Sequence, residues 1–438
     1  MNKIIQGDCL EVLKTMEDNS IDSIVTDPPY GLKFMGKKWD YDVPSVEIWA
    51  ECLRVLKPGG YLLAFAGTRT HHRICSAIED AGFEIRDMIA WVYGSGFPKS
   101  LNIGKAVDKL QGNEREDAGE YKRPDGSNAR KNVEAKAIWG NADGNDQRQT
   151  KGTSEWEGWG TALKPALEPI TVARKPLSEK TVAENVLKWG TGGINVDGCR
   201  ISLDGIEKHT TEGKSGLGNS IYGKFENSEK ELTEMPRYNT QGRFQANLIH
   251  DGSDEVVGLF PNTKSGKVKN NKEQYGGESN TGFIRGVSNS QNQHGDSGSA
   301  ARFFYCAKAS KSERNRGCEG LEAKDNLDYE IDPEYPYKSG HRNDNNANQL
   351  YMGITGKPPT KQKNHHPTVK PIALMEYLIK LVSREGATIL DPFAGSGTTG
   401  IACKHLNRKF ILIEKEQEYC EIAKQRIINE TRQLKLFN

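Results

Sequence analysis

Asp391-Pro-Phe-Ala-Gly-Ser-Gly-Thr-Thr-Gly400 lies between a short apolar run, Ala387 to Asp391, and a segment of helical spacing, Gly397 to His405. Read as strand, turn and helix, it sets Gly395 and Gly397 where backbone can approach a ligand closely. A helix N-terminus, which favours negative charge, points at the same place. The next apolar run, Lys409 to Glu414, reads as a strand ending in an acid, and a carboxylate there can accept both hydroxyls of a ribose. A glycine-rich turn alone is equally a tight structural turn. Strand, turn, helix and acidic strand end in that order favour a nucleotide-like ligand. The spacing is not G-x-G-x-x-G, and no G-x-x-x-x-G-K-S/T occurs, so dinucleotide oxidoreductase and P-loop readings lack support.

The same grammar extends outward. Ile372 to Arg384 reads as an amphipathic helix before the turn, and Tyr419 to Ile428 as a closing helix after it. At the other end, strands are expected at Lys3–Asp8, Ile21–Asp27, Tyr61–Ala66 and Glu84–Tyr93, with helices at Cys9–Met16, Val46–Val55 and His71–Ala81. Lys57-Pro-Gly-Gly60 reads as a turn. Alternating strands and helices predict an α/β fold with a mostly parallel, helix-covered sheet. Neither end holds enough strands for a complete sheet, so 1–96 and 361–438 are expected to pair into one domain around an insert at 97–360.

The insert differs in character. Residues 97–165 and roughly 204–300 are rich in Gly, Asn, Ser, Gln and Lys, with ordered islands between: a strand at Glu168–Arg174 (the 168–174 segment), a helix at Thr181–Trp189 and a strand at Arg302–Ala307. The whole chain of 438 residues is only 35% hydrophobic and contains 46 glycines, which fits a compact core sharing the sequence with long polar loops. No apolar stretch approaches the ~20 residues needed to cross a bilayer, and the N-terminus lacks a secretory core, so a cytoplasmic protein is expected. Eight scattered cysteines with no C-x-x-C pair fit free thiols, and the adjacent pairs His71-His72 and His365-His366 are poor chelators, so no metal is expected. A net charge of +1 neither suggests nor excludes nucleic acid.

Thr26-Asp-Pro-Pro-Tyr30 closes the Ile21–Asp27 strand. Pro28 and Pro29 fix φ and remove two N–H donors, leaving a stiff turn with outward carbonyls. Asp27 and the Pro28 carbonyl are acceptors, and Tyr30 offers a flat face beside them, an arrangement that suits an exocyclic amino group on a stacked ring. A rigid Pro-Pro loop with a capping aspartate accounts for the segment equally well when it is taken alone.

Together the two segments resemble the amino-methyltransferases of DNA. With D-P-P-Y first and F-x-G-x-G (Phe393, Gly395, Gly397) last, the order is similar to the permuted β class of adenine-N6 and cytosine-N4 enzymes. His366-Pro-Thr-Val-Lys-Pro371 resembles that family's H-P-T-x-K-P segment, and Gly7-Asp8-Cys9, Leu56-Lys-Pro-Gly-Gly60 and Trp91 fall where the family has similar residues. The resemblance covers about 1–100 and 360–430. Within the insert, Ala300 to Arg314 is similar to segments of phage and prophage members.

The resemblance implies a Rossmann-like, circularly permuted S-adenosylmethionine-dependent sheet, with 1–96 as its catalytic half, 97–360 as target-recognition insert and 361–438 as its cofactor-binding half. It implies a catalytic set of Asp27, Pro28, Pro29 and Tyr30, the first two accepting from the target amine and Tyr30 stacking on a flipped base. The S-adenosylmethionine site would comprise Asp391, Phe393, Gly395, Gly397 and Thr398, with Glu414 on the ribose. Asp8 and Cys9 would meet the adenine. His366, Thr368 and Lys370 would lie near the methionine end, Lys370 offsetting its carboxylate. Methyl transfer to adenine N6 in double-stranded DNA is the first expectation, because cytosine-N4 members more often carry Ser in place of the aspartate. Cytosine N4 is the alternative, followed by an RNA or protein substrate and by a non-catalytic DNA-binding relic. A homodimer and a cognate restriction endonuclease are partners the resemblance leaves open. Lys264–Lys272 and Arg302–Arg316 are basic runs suited to phosphate contact. Cytosine-C5 chemistry needs a Pro-Cys nucleophile, and the chain has no such dipeptide.

Overall fold

The computed structural model describes residues 2–32, 40–94, 96, 100–120, 148–201, 242–264, 297–307, 313, 315–322, 324–325, 361–366 and 368–436. Nine strands form one sheet: β1 (Lys3–Gln6), β2 (Ile21–Thr26), β3 (Leu56–Phe65), β4 (Glu84–Val92), β5 (Leu167–Arg174), β6 (Leu248–His250), β7 (Tyr305–Cys306), β8 (Thr388–Asp391) and β9 (Lys409–Glu414). Their spatial order is β1-β9-β8-β2-β3-β5-β4-β6-β7. Neighbours run parallel except at β5, which is antiparallel to both β3 and β4. The two chain ends interleave: Lys3 to Gln6 pair with Ile411 to Glu414, and Ile389 and Leu390 pair with Ser23 and Ile24. The fold is Rossmann-like α/β.

Main-sheet strands alternate side chains between two apolar layers, as a sheet covered on both faces requires. Ile24, Leu62 and Leu390 face a layer formed with α1 (Cys9–Lys14), α2 (Val46–Val55) and α3 (His71–Asp80). Val25, Leu63 and Ile389 face the opposite layer, built on α6 (Ile372–Val382) and α7 (Thr398–His405). Trp49, Cys52 and Val55 are the buried stripe of α2, at the spacing of one helix face. Helix α6 buries eight of its residues. The chain closes with α8 (Gln417–Leu436). Helices α4 (Ile103–Gln111) and α5 (Val182–Trp189) belong to the insert, and α5 opens with the capping box Thr181–Glu184.

All of β2 is buried, including its polar residues, and each of these is satisfied. Asp22 pairs with Lys57 at 2.6 Å and accepts the Thr388 N–H, and Ser23 donates to the Val382 carbonyl at 2.6 Å.

Three features depart from the sequence reading. The sheet is mixed, because three strands of the 97–360 segment (β5, β6 and β7) enter it and β5 reverses direction. Lys57-Pro-Gly-Gly60 lies inside β3 rather than ending an element: pairing passes from Ile21–Leu56 to Ser23–Tyr61, and the intervening residues bulge. Gly59 takes φ +78° there, and Asn185 fastens the bulge by donating to the Pro58 carbonyl at 2.9 Å. Arg302–Ala307 is a 3₁₀ turn at Ala300–Phe303 followed by the two-residue β7. Of the two basic runs, most of Lys264–Lys272 and part of Arg302–Arg316 lie outside the described residues. No helix among the described residues is long and apolar enough to cross a membrane, and no cluster of three metal-ligating side chains occurs among them.

Candidate active site

Strands β8 and β2 are parallel neighbours from which the chain departs in opposite directions across the sheet. The C-terminal ends of such strands open a crevice, the usual ligand position of an open α/β sheet. Here they carry Asp391 with the glycine turn and Asp27 with the Pro-Pro turn. A cleft of about 1390 Å³ covers both, and its lining includes Asp8, Cys9, Asp27, Tyr30, Glu168, His366, Lys370, Phe393, Gly395, Thr398 and Glu414. Sites for one small molecule run roughly 300–1,000 Å³, so this space exceeds a single nucleotide's needs.

Asp391 is spent on building the turn. Its Oδ1 accepts from the Thr26 hydroxyl at 2.6 Å and the Phe393 N–H at 3.1 Å, and its Oδ2 accepts from the Thr399 hydroxyl at 2.5 Å. Burial pushes its carboxyl up to about 6, against the pull of the two threonines. Behind the turn, buried Arg426 on α8 donates to the Ser396 carbonyl and to the hydroxyls of Ser396 and Thr398 at 2.7–3.1 Å.

Gly395 takes φ +51°, and a Cβ there would lie 2.8 Å from Nε2 of His366. Gly397 takes φ +79° at the N-cap of α7, where a Cβ would press on Ala423. Both positions therefore require glycine on conformational and steric grounds. The Gly395 N–H donates to Glu414 Oε2 at 2.7 Å, and the Glu416 N–H donates to Oε1 at 2.9 Å. Burial raises the Glu414 carboxyl above its ordinary value, against those two donors. Each of its oxygens keeps a lone pair beyond these bonds. His366 is buried, its Nδ1 2.6 Å from the Thr368 carbonyl and its ring edge-on to Tyr419.

At the cleft's other flank Asp8 caps α1, accepting the Leu10 N–H at 3.1 Å, and lies 3.5 Å from Lys415. Burial and then Asp8 push the Cys9 thiol up to about 12, so Cys9 is no thiolate nucleophile near neutral pH.

The Pro-Pro turn is anchored from below by Asp40, which is buried and accepts the N–H groups of Tyr30, Gly31 and Leu32 at 2.7–3.3 Å. Above it Asp27 Oδ1 accepts the Tyr30 hydroxyl at 2.6 Å, and Oδ2 pairs with Lys370 Nζ at 2.6 Å. Lys370 also lies 3.2 Å from Glu168. Lys370, expected near the methionine end, lines the cleft with its ammonium held by two protein carboxylates. Asp391, which also lines the cleft, serves the turn through both oxygens.

Sequence reasoning missed Asp40, Glu168, Tyr93 and Arg426. Glu168 had a faint signal as an acid opening an apolar strand, but its place depends on the reversal of β5, which no local pattern specifies.

Residues 21–151 and 254–425 match the N6/N4 DNA methylase family, more than half of the chain. The chain belongs to that family. The methylase's D-P-P-Y and glycine turns fall inside the matched segments, whereas Asp8, Cys9 and Glu168 fall outside them. It is similar to the Type II methyltransferase M2.DpnII of Streptococcus pneumoniae, with 46% identity over 78 residues, 18% of this chain and 29% of that protein. It is also similar to the Type II methyltransferase M.HpaI of Haemophilus parainfluenzae, with 51% identity over 70 residues, 16% and 22% of the two chains. The matched stretches thus span under a third of the length of either relative. Among solved structures it aligns with the cytosine-N4-specific PvuII DNA methyltransferase at TM-score 0.39 and 14% identity, covering 100% of this chain and 92% of that one.

Proposed function

We propose that this methylase transfers a methyl group from S-adenosylmethionine to an exocyclic amino group in double-stranded DNA, adenine N6 foremost, by base flipping and direct transfer. The observation that carries the reading is that Glu414 and Asp27, an acceptor suited to a ribose and an acceptor suited to an amine, open into one cleft at the sheet's switch point. The D-P-P-Y turn precedes the glycine turn in the chain, which supports the permuted β class. The aspartate of D-P-P-Y favours adenine over cytosine N4, the alternative within the same family. The same reading carries a cytoplasmic location, and the likeness to Type II enzymes supports a cognate endonuclease.

The residues fit the cofactor: Gly395 lines the cleft with bare backbone packed too close to His366 for a Cβ, and Glu414 stands beside it with spare lone pairs. Glu414 would hold the ribose, Phe393, Gly395 and Thr398 would line the pocket while Gly397 packs behind them on Ala423, and Asp8 and Cys9 would meet the adenine. His366 and Thr368 would border the methionine end. When bound, the cofactor supplies a methyl group on a sulfonium.

An aromatic amine is a poor nucleophile because its lone pair is delocalised into the ring. Asp27 and the Pro28 carbonyl, accepting both N–H bonds from one side, draw the nitrogen towards sp³ and aim its lone pair. Pro29 stiffens the turn and Tyr30 stacks on the base. Orientation and preset electrostatics then supply the acceleration, with no covalent enzyme intermediate. Extrusion of the base costs a few kcal/mol.

The test is transfer of labelled methyl groups to unmethylated genomic DNA, followed by digestion and mass spectrometry of the nucleosides. N6-methyladenine supports the full reading, and N4-methylcytosine keeps the mechanism but overturns the base. Unlabelled DNA from protein that binds the cofactor overturns the reading in favour of RNA, protein or a non-catalytic relic.

A further inference from the structure

Glu168 stands on β5, opposite Trp91 of β4, and ties three side chains of the acceptor site together. Its Oε2 lies 3.2 Å from both Lys370 Nζ and the Tyr30 hydroxyl oxygen, while Oε1 accepts from the Tyr93 hydroxyl at 3.2 Å. Lys370 in turn reaches Asp27 at 2.6 Å and the Tyr30 hydroxyl at 3.2 Å, with the Tyr30 and Phe65 rings 5.5 and 5.0 Å away. Burial works against the charged form of Lys370, but Asp27 and Glu168 outweigh it and hold its pKa above the ordinary value. Burial, then the neighbouring carboxylates, push the phenols of Tyr30 and Tyr93 up, so both are neutral. Asp391, also behind Asp27, adds a carboxylate whose oxygens the turn's threonines hold, and it is there with or without Glu168. The groups that meet at Lys370 are two carboxylates and one ammonium, with a formal net charge of −1.

We propose that Glu168 is a positioning residue that sets this charge, occupying Lys370 so that the ammonium does not cancel Asp27. The inference rests on the methyl-transfer reading above and deepens it. Transfer to a neutral amine moves the sulfonium's positive charge onto the amino nitrogen; the C–N bond forms as the S–C bond breaks to leave a neutral thioether, and the extra N–H proton then passes to water. A site of net charge −1 stabilises that nitrogen, whereas an Asp27–Lys370 pair alone, with net charge zero, does so far less. With Glu168 present, Lys370 has two anions to serve and Asp27 keeps acceptor strength. Glu168 stands on β5, so a strand of the 97–360 segment supplies the charge.

The experiment compares kcat and KM on DNA for wild type, E168Q, E168D, K370M and the double variant E168Q/K370M, with cofactor affinity and urea unfolding measured alongside. E168Q should lose at least about tenfold in kcat, equivalent to about 1.4 kcal/mol, with KM for DNA and cofactor affinity changed less than about threefold. The double variant, whose acceptor site returns to −1, should recover most of that loss. The E168Q deficit should also narrow as pH rises, because Lys370 with one carboxylate removed sheds its proton more readily. E168D, which keeps the charge, should stay nearer to wild type than E168Q. An E168Q rate equal to wild type, a double variant no better than E168Q, or an E168D as poor as E168Q overturns the inference while leaving the methyl-transfer reading intact. A wild-type chain that does not methylate DNA overturns both.

Discussion

Thr26 and Asp391 stand 365 positions apart in the chain, yet the threonine hydroxyl donates to the aspartate carboxylate at 2.6 Å inside the sheet. The bond joins the last residues of two parallel strands, so the D-P-P-Y turn and the glycine turn move as one piece. A near-attack geometry tolerates little slack, and a shared buried anchor supplies that rigidity more directly than two independent loops would.

The anchor carries a pH signature. Burial lifts the Asp391 carboxyl from its ordinary 3.8 to about 6, so between those values the folded chain binds a proton that the unfolded chain has released. Its contribution therefore falls as pH rises from about 4 to about 6 and is constant above that. Urea unfolding of wild type and D391N across this window should show the difference in stability moving against wild type by about 3 kcal/mol at most, then levelling off. A difference that does not change with pH would show that Asp391 is not the titrating group.

Asp27→Ala should lower kcat by about 10²-fold or more while cofactor affinity stays within about threefold, because on the proposed reading Asp27 would meet the amine and Glu414 the ribose. The substitution also leaves Lys370 with Glu168 as its carboxylate partner. Single-turnover methyl transfer and equilibrium cofactor titration check the two halves separately.

How much of this could be read from the sequence depended on whether a feature is local. Glu414, Gly395 and Gly397 were legible because strand, turn and helix periods place them without reference to distant residues. The pairing of the two chain ends followed from counting strands, and Lys3–Ile411 contact is its outcome. Glu168 and Asp40 were not legible: the first acts through a contact set by β5's reversal, the second through its bonds to the Tyr30 turn, and neither has a periodic signature. Lys57-Pro-Gly-Gly60 misled because a bulge and a turn use the same residues, and the pairing on either side of it, with Asn185 and Thr191 donating to the Pro58 carbonyl, decides between them.

Glu414→Gln should weaken cofactor affinity by about 10- to 100-fold, the value of one or two charge-assisted hydrogen bonds. The amide retains one acceptor oxygen, so either the Gly395 N–H or the Glu416 N–H loses its partner, and the rest of the site remains assembled. Calorimetric titration measures the change, and an unchanged affinity would remove Glu414 from the ribose.

Gly395→Ala and Gly386→Ala make a matched pair that separates backbone strain from steric conflict. Both glycines hold positive φ, +51° and +76°, so each alanine incurs left-handed strain of roughly 1–2 kcal/mol. Around Gly386 nothing lies within 4 Å of an added Cβ, and strain should be its whole effect. At Gly395 the added methyl would sit 2.8 Å from Nε2 and 3.0 Å from Cε1 of His366. That ring cannot easily give way: its Nδ1 is 2.6 Å from the Thr368 carbonyl, and Tyr419 packs against it at 4.6 Å. The turn itself must then shift, pulling the Gly395 N–H from Glu414 and distorting the cradle in which the cofactor would lie. Urea unfolding should place G395A about 1–3 kcal/mol below G386A, the usual cost of overpacking, and cofactor titration should find binding weakened only in G395A. Equal losses of stability in the two variants, with cofactor affinity preserved in both, would mean that the turn relaxes without cost and that Gly395 is required for its backbone angle alone.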